Sequence, residues 1–173
     1  MEWPVRKQNR LKDHDYAQNG VYFITICTKG KQKILCDIVG DGALDAPQIK
    51  LSTIGKIVDK YIQSTNNIPE IAVHKYVIMP NHIHLLLSVC MENGTSRAPS
   101  PTTTQRVSRA NQLVPHAIST LKRFVNRDVG YNVFQRSFHD HVVRGEQDYR
   151  EIWQYIDENP QKWQEDCFFV SDL

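Results

Sequence analysis

Two histidines lie one residue apart in an otherwise apolar stretch, YVIMPNHIHLLLSV. Side chains alternate across a β-strand, so His82 and His84 share one face while Ile83 and Leu85 share the other. The two imidazoles are then roughly 7 Å apart by backbone rise, close enough to converge on one metal ion. Two histidines leave a divalent ion short of ligands, so a third protein group should lie nearby. The alternative is that both histidines are structural residues of the strand.

A second histidine pair has the same spacing. In FHDH, His139 and His141 share one face of another predicted strand, and Asp140 faces the opposite side. Strand geometry alone does not choose between the two pairs. Context favours His82 and His84, because a turn and an apolar strand would shield and fix an ion there.

The stretch EIWQYIDENP has the spacing of a helix and contains side chains that could complete such a site. Residues three and four apart are neighbours on a helix, so Tyr155 lies beside Asn159 and Glu158. An amide oxygen is a competent ligand for a hard cation. The alternative interpretation is that Tyr155 forms a core stripe with Ile152 and Ile156, and that Asn159 only ends the helix.

The elements that must position these residues follow from hydrophobic periodicity and turn residues. Strands are predicted at residues 20–28, 33–39, 71–78, 82–89 and 132–144, helices at 52–65, 111–130 and 147–160, and a loop at 40–48. The short gap MPN between the third and fourth strands predicts an antiparallel hairpin. The order β-β-α-β-β-α-β-α predicts an α+β fold, a mostly antiparallel sheet with helices packed against it.

The length of 173 residues predicts a single domain at residues 20–165, between a basic N-terminal arm at 1–19 and a C-terminal tail at 166–173. Residues 91–108 are rich in Pro, Ser and Thr, which predicts a flexible insertion. The four cysteines are scattered, which argues against a zinc ribbon or a disulfide framework. No apolar run of 18 residues and no signal-like N-terminus is present, so we expect a cytoplasmic protein without a membrane partner.

Four segments of the chain together resemble a known family. MPNHIHLLL resembles the histidine-hydrophobic-histidine (HUH) motif of the single-tyrosine transposases, and YIDENP resembles the helix that carries their nucleophile. With GVYFITICT, FQRSFHDHVVR and WQYIDENPQKW, residues 10–163 resemble the branch associated with repetitive extragenic palindromes (REPs). The resemblance implies a ferredoxin-like or RRM-like HUH endonuclease fold, with Tyr155 as catalytic residue and His82, His84 and Asn159 as metal ligands. Other members have glutamine at the last position, so Asn159 departs from that pattern.

The resemblance also implies an activity. It is that of a metal-dependent single-strand DNA endonuclease and strand transferase, using Mg²⁺ or Mn²⁺ and a covalent 5′-phosphotyrosine intermediate. The implied substrate is single-stranded DNA with a REP-like hairpin, in the nucleoid. The resemblance to the REP-associated branch implies a monomer. A homodimer is the alternative, because the insertion-sequence branch of the family is expected to be dimeric.

Basic residues are the candidates for DNA contacts, although the net charge of +2 points only weakly to nucleic acid. The predicted DNA-binding residues are Arg6, Lys7, Arg10, Lys12, Lys122, Arg123 and Arg127, with His139 and His141 in a supporting or DNA-facing role. Two other functions remain open. One is a non-catalytic ferredoxin-like nucleic-acid-binding module, and the other is a zinc hydrolase that uses His82, His84 and an acid such as Glu158.

Overall fold

The computed structural model describes residues 19–40, 47–90 and 103–170, with the backbone alone for residues 103–112. The strands in these ranges are β1 (Gly20–Cys27), β2 (Cys36–Val39), β3 (Gln48–Leu51), β4 (Ile71–Ile78), β5 (His82–Val89) and β6 (His139–Val142). The longer helices are α1 (Thr53–Ser64), α2 (Thr103–Val129) and α3 (Glu146–Glu158). None of the helices in the described ranges has the length and hydropathy that crossing a bilayer requires.

Four strands form one antiparallel sheet in the order β4-β5-β1-β6, and β2 pairs with β3 in a separate two-stranded sheet. Without the small sheet and the final helix α3 the chain order is βαββαβ, and β5 lies between the two strands that α1 connects. This is the ferredoxin-like arrangement. The predicted α+β fold with an antiparallel sheet is confirmed, and β4 and β5 are joined where the MPN gap predicts a hairpin.

The two faces of the larger sheet pack against different helices. Helices α1 and α2 cover the face that buries Ile83 and Leu85. Helix α3 covers the opposite face, where Ile152 and Ile156 pack on Leu86. Because side chains alternate along β5, its histidines lie on the α3 face.

The turn before the histidines is tied to two other parts of the chain. Thr28 donates its backbone N–H to the Asn81 carbonyl at 2.9 Å, and its hydroxyl donates to the same oxygen at 3.0 Å. Leu35 donates its N–H to the Pro80 carbonyl at 3.0 Å. These bonds satisfy buried backbone groups and fix the start of β5.

Residues 132–144 do not form the single strand that their apolar content predicts. Only His139–Val142 pairs with β1, and Phe134 makes an isolated bridge to Thr28. The Gln135 N–H donates to the Cys27 carbonyl, beyond the last pair of the β1–β6 ladder, so the preceding segment crosses the end of β1 as a loop.

Two other segments differ from the prediction. Strand β3 (Gln48–Leu51) is not among the predicted strands and begins at the end of the predicted loop, of which residues 41–46 lie outside the described ranges. Helix α2 begins at Thr103, inside the predicted flexible insertion, of which residues 91–102 also lie outside the described ranges. Extending an existing helix adds one hydrogen bond per residue, so α2 continues into a sequence that would not nucleate a helix alone.

Candidate active site and metal centre

The imidazoles of His82 and His84 converge on the α3 face of β5. Their Nε2 atoms are 3.0 Å apart. The two side chains are 0% and 1% exposed. The structure therefore brings together the two histidines whose spacing predicts a shared face.

Hydrogen bonds on the far side of each ring decide which nitrogen offers a lone pair. Asn81 Nδ2 donates to the Phe168 carbonyl at 2.8 Å, so Asn81 Oδ1 accepts from His82 Nδ1 at 2.9 Å. Thr25 Oγ1 lies 2.8 Å from His84 Nδ1, and a hydroxyl can accept from or donate to that nitrogen. When Thr25 accepts, both Nε2 atoms offer lone pairs to the site, as coordination of a cation requires.

Burial lowers the pKa of both histidines below the ordinary value. Loss of hydration is the largest cause for each, and the neighbouring imidazole lowers the pKa of His84 further. The carboxylate of Asp166 partly opposes this effect at His82. Both rings are therefore neutral at pH 7, which is the state that binds a metal.

Tyr155 lies on the side of α3 that faces the histidines. Its hydroxyl is 3.4 Å from His84 Nε2 and 3.3 Å from Asp166 Oδ2. The Phe23 ring stacks on His84 at 5.0 Å between centroids and meets the Tyr155 ring edge-on at 5.9 Å, so one side chain orients both. Tyr155 is 40% exposed, whereas Ile156 is 2% exposed, so the tyrosine lies outside the apolar stripe of α3.

Asn159 and Asp166 lie beside the tyrosine and the histidines. Asn159 Nδ2 donates to Asp166 Oδ2 at 2.9 Å, and that oxygen is 3.9 Å from His82 Nε2. Asn159 Oδ1 is buried and has no hydrogen-bond partner within the described part of the chain. Potential ligand atoms of His82, His84 and Asp166 all lie within 4.8 Å of one another. An unpaired buried oxygen is costly, and a bound cation would satisfy it.

The phenol of Tyr155 is not activated in this arrangement. Partial burial, followed by the charge of Asp166, raises the pKa of Tyr155 to about 12. The hydroxyl is therefore protonated at neutral pH. A group that accepts its proton is needed before it can act as a nucleophile.

Asp166 is not among the site residues predicted from the sequence, because Asp166 lies beyond α3 in the predicted tail. The 3-10 turn Trp163–Glu165 leads the chain back toward the histidines, and Asp166 Oδ1 accepts the Phe168 N–H at 2.6 Å. An aspartate that bonds two residues ahead is a turn signal, but it does not say where the turn points. The acid that the zinc alternative uses, Glu158, instead accepts hydrogen bonds from Gln154 and Lys162.

The segment after α3 covers the histidine pair. The Phe168 ring lies 4.7 Å from the His82 ring, and the Trp163 ring lies 5.9 Å from it. These contacts account for the near-complete burial of the imidazoles. A phosphate group can reach the two Nε2 atoms only if part of this cover moves.

The second histidine pair lies on the same face of the sheet but does not converge. His139 and His141 are both exposed, opposite Thr25 and Phe23 of β1. His141 Nε2 is 2.9 Å from the carboxylate of Asp148 on α3. These residues border the site, and His141 helps to hold α3 in place.

The predicted basic residues of α2 lie in the helical layer on the other face of the sheet. Lys122 donates to the carbonyls of Gln135 and Ser137 at 2.9 Å each, so its ammonium group supports the loop before β6. Arg123 and Arg127 are exposed, and both guanidinium groups lie 4.9 Å from the Phe124 ring centroid. The arm residues lie outside the described ranges, namely Arg6, Lys7, Arg10 and Lys12.

No family model matches the chain. An uncharacterised protein of Haemophilus influenzae is 28% identical over 180 residues, spanning 96% of this chain and 94% of that protein. The solved structure of a REP-associated tyrosine transposase bound to a REP hairpin covers 92% of this chain and 74% of its own, with 17% identity and a TM-score of 0.56. A structure from Deinococcus radiodurans aligns at 19% identity with a TM-score of 0.32, which is too low to support an inference. The expected resemblance is confirmed at the level of the fold, which this chain shares with the REP-associated enzyme.

Proposed function

We propose that this protein is a metal-dependent endonuclease and strand transferase for single-stranded DNA, with Tyr155 as the nucleophile. The main support for this proposal is that the Tyr155 hydroxyl lies 3.4 Å from His84 Nε2, in a cluster that includes His82 and Asp166. A hydroxyl nucleophile beside neutral imidazoles is what metal-assisted phosphodiester transfer requires. The fold shared with a REP-associated tyrosine transposase supports the same function.

His82 and His84 would hold the metal ion through Nε2, with Asn159 Oδ1 or Asp166 Oδ2 as the third ligand. The residues fit an ion, because Asn159 Oδ1 lacks a hydrogen-bond partner among the described residues and the two Nε2 atoms lie 3.0 Å apart. Of the expected ions, Mn²⁺ suits mixed nitrogen and oxygen donors better than Mg²⁺, which prefers oxygen. A bound divalent ion acts as a Lewis acid that stabilises charge developing on the phosphate.

The reaction follows from where the side chains lie. With Asn159 Oδ1 as the third ligand, Asp166 Oδ2 is placed to accept the phenol proton, and the Tyr155 oxygen then attacks phosphorus. With Asp166 Oδ2 as the ligand, solvent takes up that proton. The bond from phosphorus to the 3′-oxygen breaks, and that oxygen leaves and takes up a proton. The products are a 5′-phosphotyrosine and a free 3′-hydroxyl. Because the new linkage is still a phosphodiester, the 3′-hydroxyl of another strand can displace Tyr155 and rejoin the DNA.

The proposed substrate is single-stranded DNA next to a REP-like hairpin. A tyrosine on a helix that lies against a sheet cannot easily approach a phosphate in line within a duplex. The Tyr155 hydroxyl reaches His84 of its own chain, which supports a monomer, and the proposed setting is DNA in the cytoplasm. The candidates for backbone contacts remain Arg123 and Arg127, the arm residues, and His139 beside the site.

Covalent-adduct formation tests this proposal. The wild-type protein, incubated with hairpin oligonucleotides that carry single-stranded flanks and with Mn²⁺ or Mg²⁺, should form a protein–DNA band that a chelator abolishes. Tyr155→Phe should bind the same DNA without forming the band. Tyr149→Phe is the matched control, since Tyr149 lies on the same helix and contacts His74 outside the site.

Each alternative function gives a different result. A zinc hydrolase is favoured by Asp166, which supplies the carboxylate that Glu158 does not, and it would cut DNA without a protein-linked product. A non-catalytic binding module would retain DNA but neither cut it nor attach to it. If Tyr155→Phe still formed the adduct, Tyr155 would lose its assigned role.

A further inference from the structure

Lys31 has a backbone conformation that its side chain disfavours. It ends the 3-10 turn Lys29–Lys31 after β1 with φ +54°, and it is the one non-glycine residue with positive φ within the described part of the chain. A Cβ atom makes the left-handed region unfavourable. Such strain persists where the surrounding structure fixes it, and it is concentrated at functional sites.

The Lys31 ammonium group lies at the edge of the histidine site. Its Nζ lies 5.6 Å from the Phe168 ring centroid, and the same ring lies 4.7 Å from His82. Lys31 forms no ion pair with any residue in the described ranges.

Phe168 therefore lies against both a cation and an imidazole of the site. The cation–π contact is weak compared with a charge-assisted bond between an ammonium group and a phosphate oxygen. When DNA displaces Phe168, the ammonium group loses an aromatic partner and gains an anionic one. Tyr155 contacts His84, whereas Lys31 lies against the ring that packs on His82.

We propose that Lys31 is a substrate-binding residue that holds a non-bridging oxygen of the scissile phosphate on the His82 side of the site. This inference deepens the proposed function and rests on it. It assigns a role to the turn after β1, and it gives the left-handed conformation of Lys31 a purpose.

The test asks whether the loss of DNA affinity in Lys31→Ala depends on the negative charge of the scissile phosphate. The cleaved linkage is first mapped with the wild-type protein, and two oligonucleotides are then made, one normal and one with a neutral methylphosphonate at that linkage. Binding is measured with Mn²⁺ in a Tyr155→Phe background, so that no cleavage occurs. Lys31→Ala should weaken binding of the normal oligonucleotide about 10-fold and leave binding of the methylphosphonate unchanged, and the salt dependence should fall by about one contact.

Three variants distinguish charge from folding. Lys29→Ala removes the same charge from an exposed position in the same turn and should show no coupling to that linkage. Lys31→Arg should retain coupling. Lys31→Gly should raise the melting temperature, because glycine accepts positive φ, and yet weaken binding as Lys31→Ala does.

Two outcomes would overturn the inference. One is an equal loss of affinity for both oligonucleotides in Lys31→Ala, and the other is no loss for either. If the wild-type protein with Tyr155 intact forms the covalent adduct, either outcome removes only the role of Lys31. If the wild-type protein forms no adduct with any hairpin, the proposed function itself fails.

Discussion

The two faces of β5 are equally buried but are satisfied in different ways. On the face toward α1 and α2, Ile83 and Leu85 are at most 1% exposed and need only apolar neighbours. On the face toward α3, His82 and His84 are also at most 1% exposed, and each needs a hydrogen-bond partner for its outer nitrogen. Burial alone therefore does not separate core from site. The partners of the buried atoms do.

The polar face is costly to keep. A buried polar group loses its hydration, and it is tolerated only when it is paired. Thr25 provides that pairing for His84, whereas Asn159 Oδ1 has no partner within the described ranges. We interpret the α3 face as a region that gives up stability for a binding site, and the opposite face as the region that supplies stability.

The largest expected effect on activity is that of His84→Ala, on the α3 face of β5. Without one of two imidazoles the ion is lost, together with several kcal/mol of transition-state stabilisation, so adduct formation should fall at least ~1000-fold. The melting temperature of wild-type protein should rise with Mn²⁺, and that of the variant should not. His74→Ala, an exposed histidine on the neighbouring strand, is the control and should keep both responses. Normal adduct formation by His84→Ala would mean that the cluster is structural.

Leu85→Ala, at the next position along the strand, should lower stability and leave activity unchanged. Removing a buried leucine leaves a cavity and should lower the free energy of unfolding by about 2–5 kcal/mol. Denaturant unfolding measures this loss. Where the variant remains folded, its Mn²⁺ affinity and its rate of adduct formation should match those of the wild type. A large loss of metal affinity with little loss of stability would show that the two faces are not separate.

Much of the difference between the two faces of β5 can be predicted from the alternation of side chains in the sequence. Alternation along β5 predicts which side chains share a face, and the position of the hairpin follows from a proline and an asparagine. Local pattern does not determine the tertiary position of Asp166, because it is seven residues past Asn159 and reaches the site only through a turn. The same limit applies to Lys31, whose role depends on a backbone angle that composition does not reveal.

The third metal ligand can be identified by comparing two variants. Asp166→Asn removes a carboxylate charge near His82, and Asn159→Ala removes the unpaired amide oxygen. We expect both to weaken Mn²⁺ binding, Asp166→Asn by about 10- to 100-fold and Asn159→Ala by less, since a charged ligand binds a divalent ion more strongly. Calorimetric titration measures both affinities. Unchanged affinity in both variants would place the third ligand outside this pair.

Phe168→Ala should give the smallest change in adduct formation, and it is the one variant in this set that we expect to raise the rate. The ring lies against His82 and blocks the approach of a phosphate, so its loss should open the site and raise the rate of adduct formation several-fold at subsaturating DNA. Phe169→Ala is the matched control, because that ring packs on Trp163 at 5.2 Å and makes no ring contact with the histidines. The exposed fraction of His82 provides an independent readout through its rate of modification by diethylpyrocarbonate, which should rise in Phe168→Ala alone. Faster modification without faster adduct formation would show that the ring covers the imidazoles but does not control access of DNA, and that a different step limits the reaction.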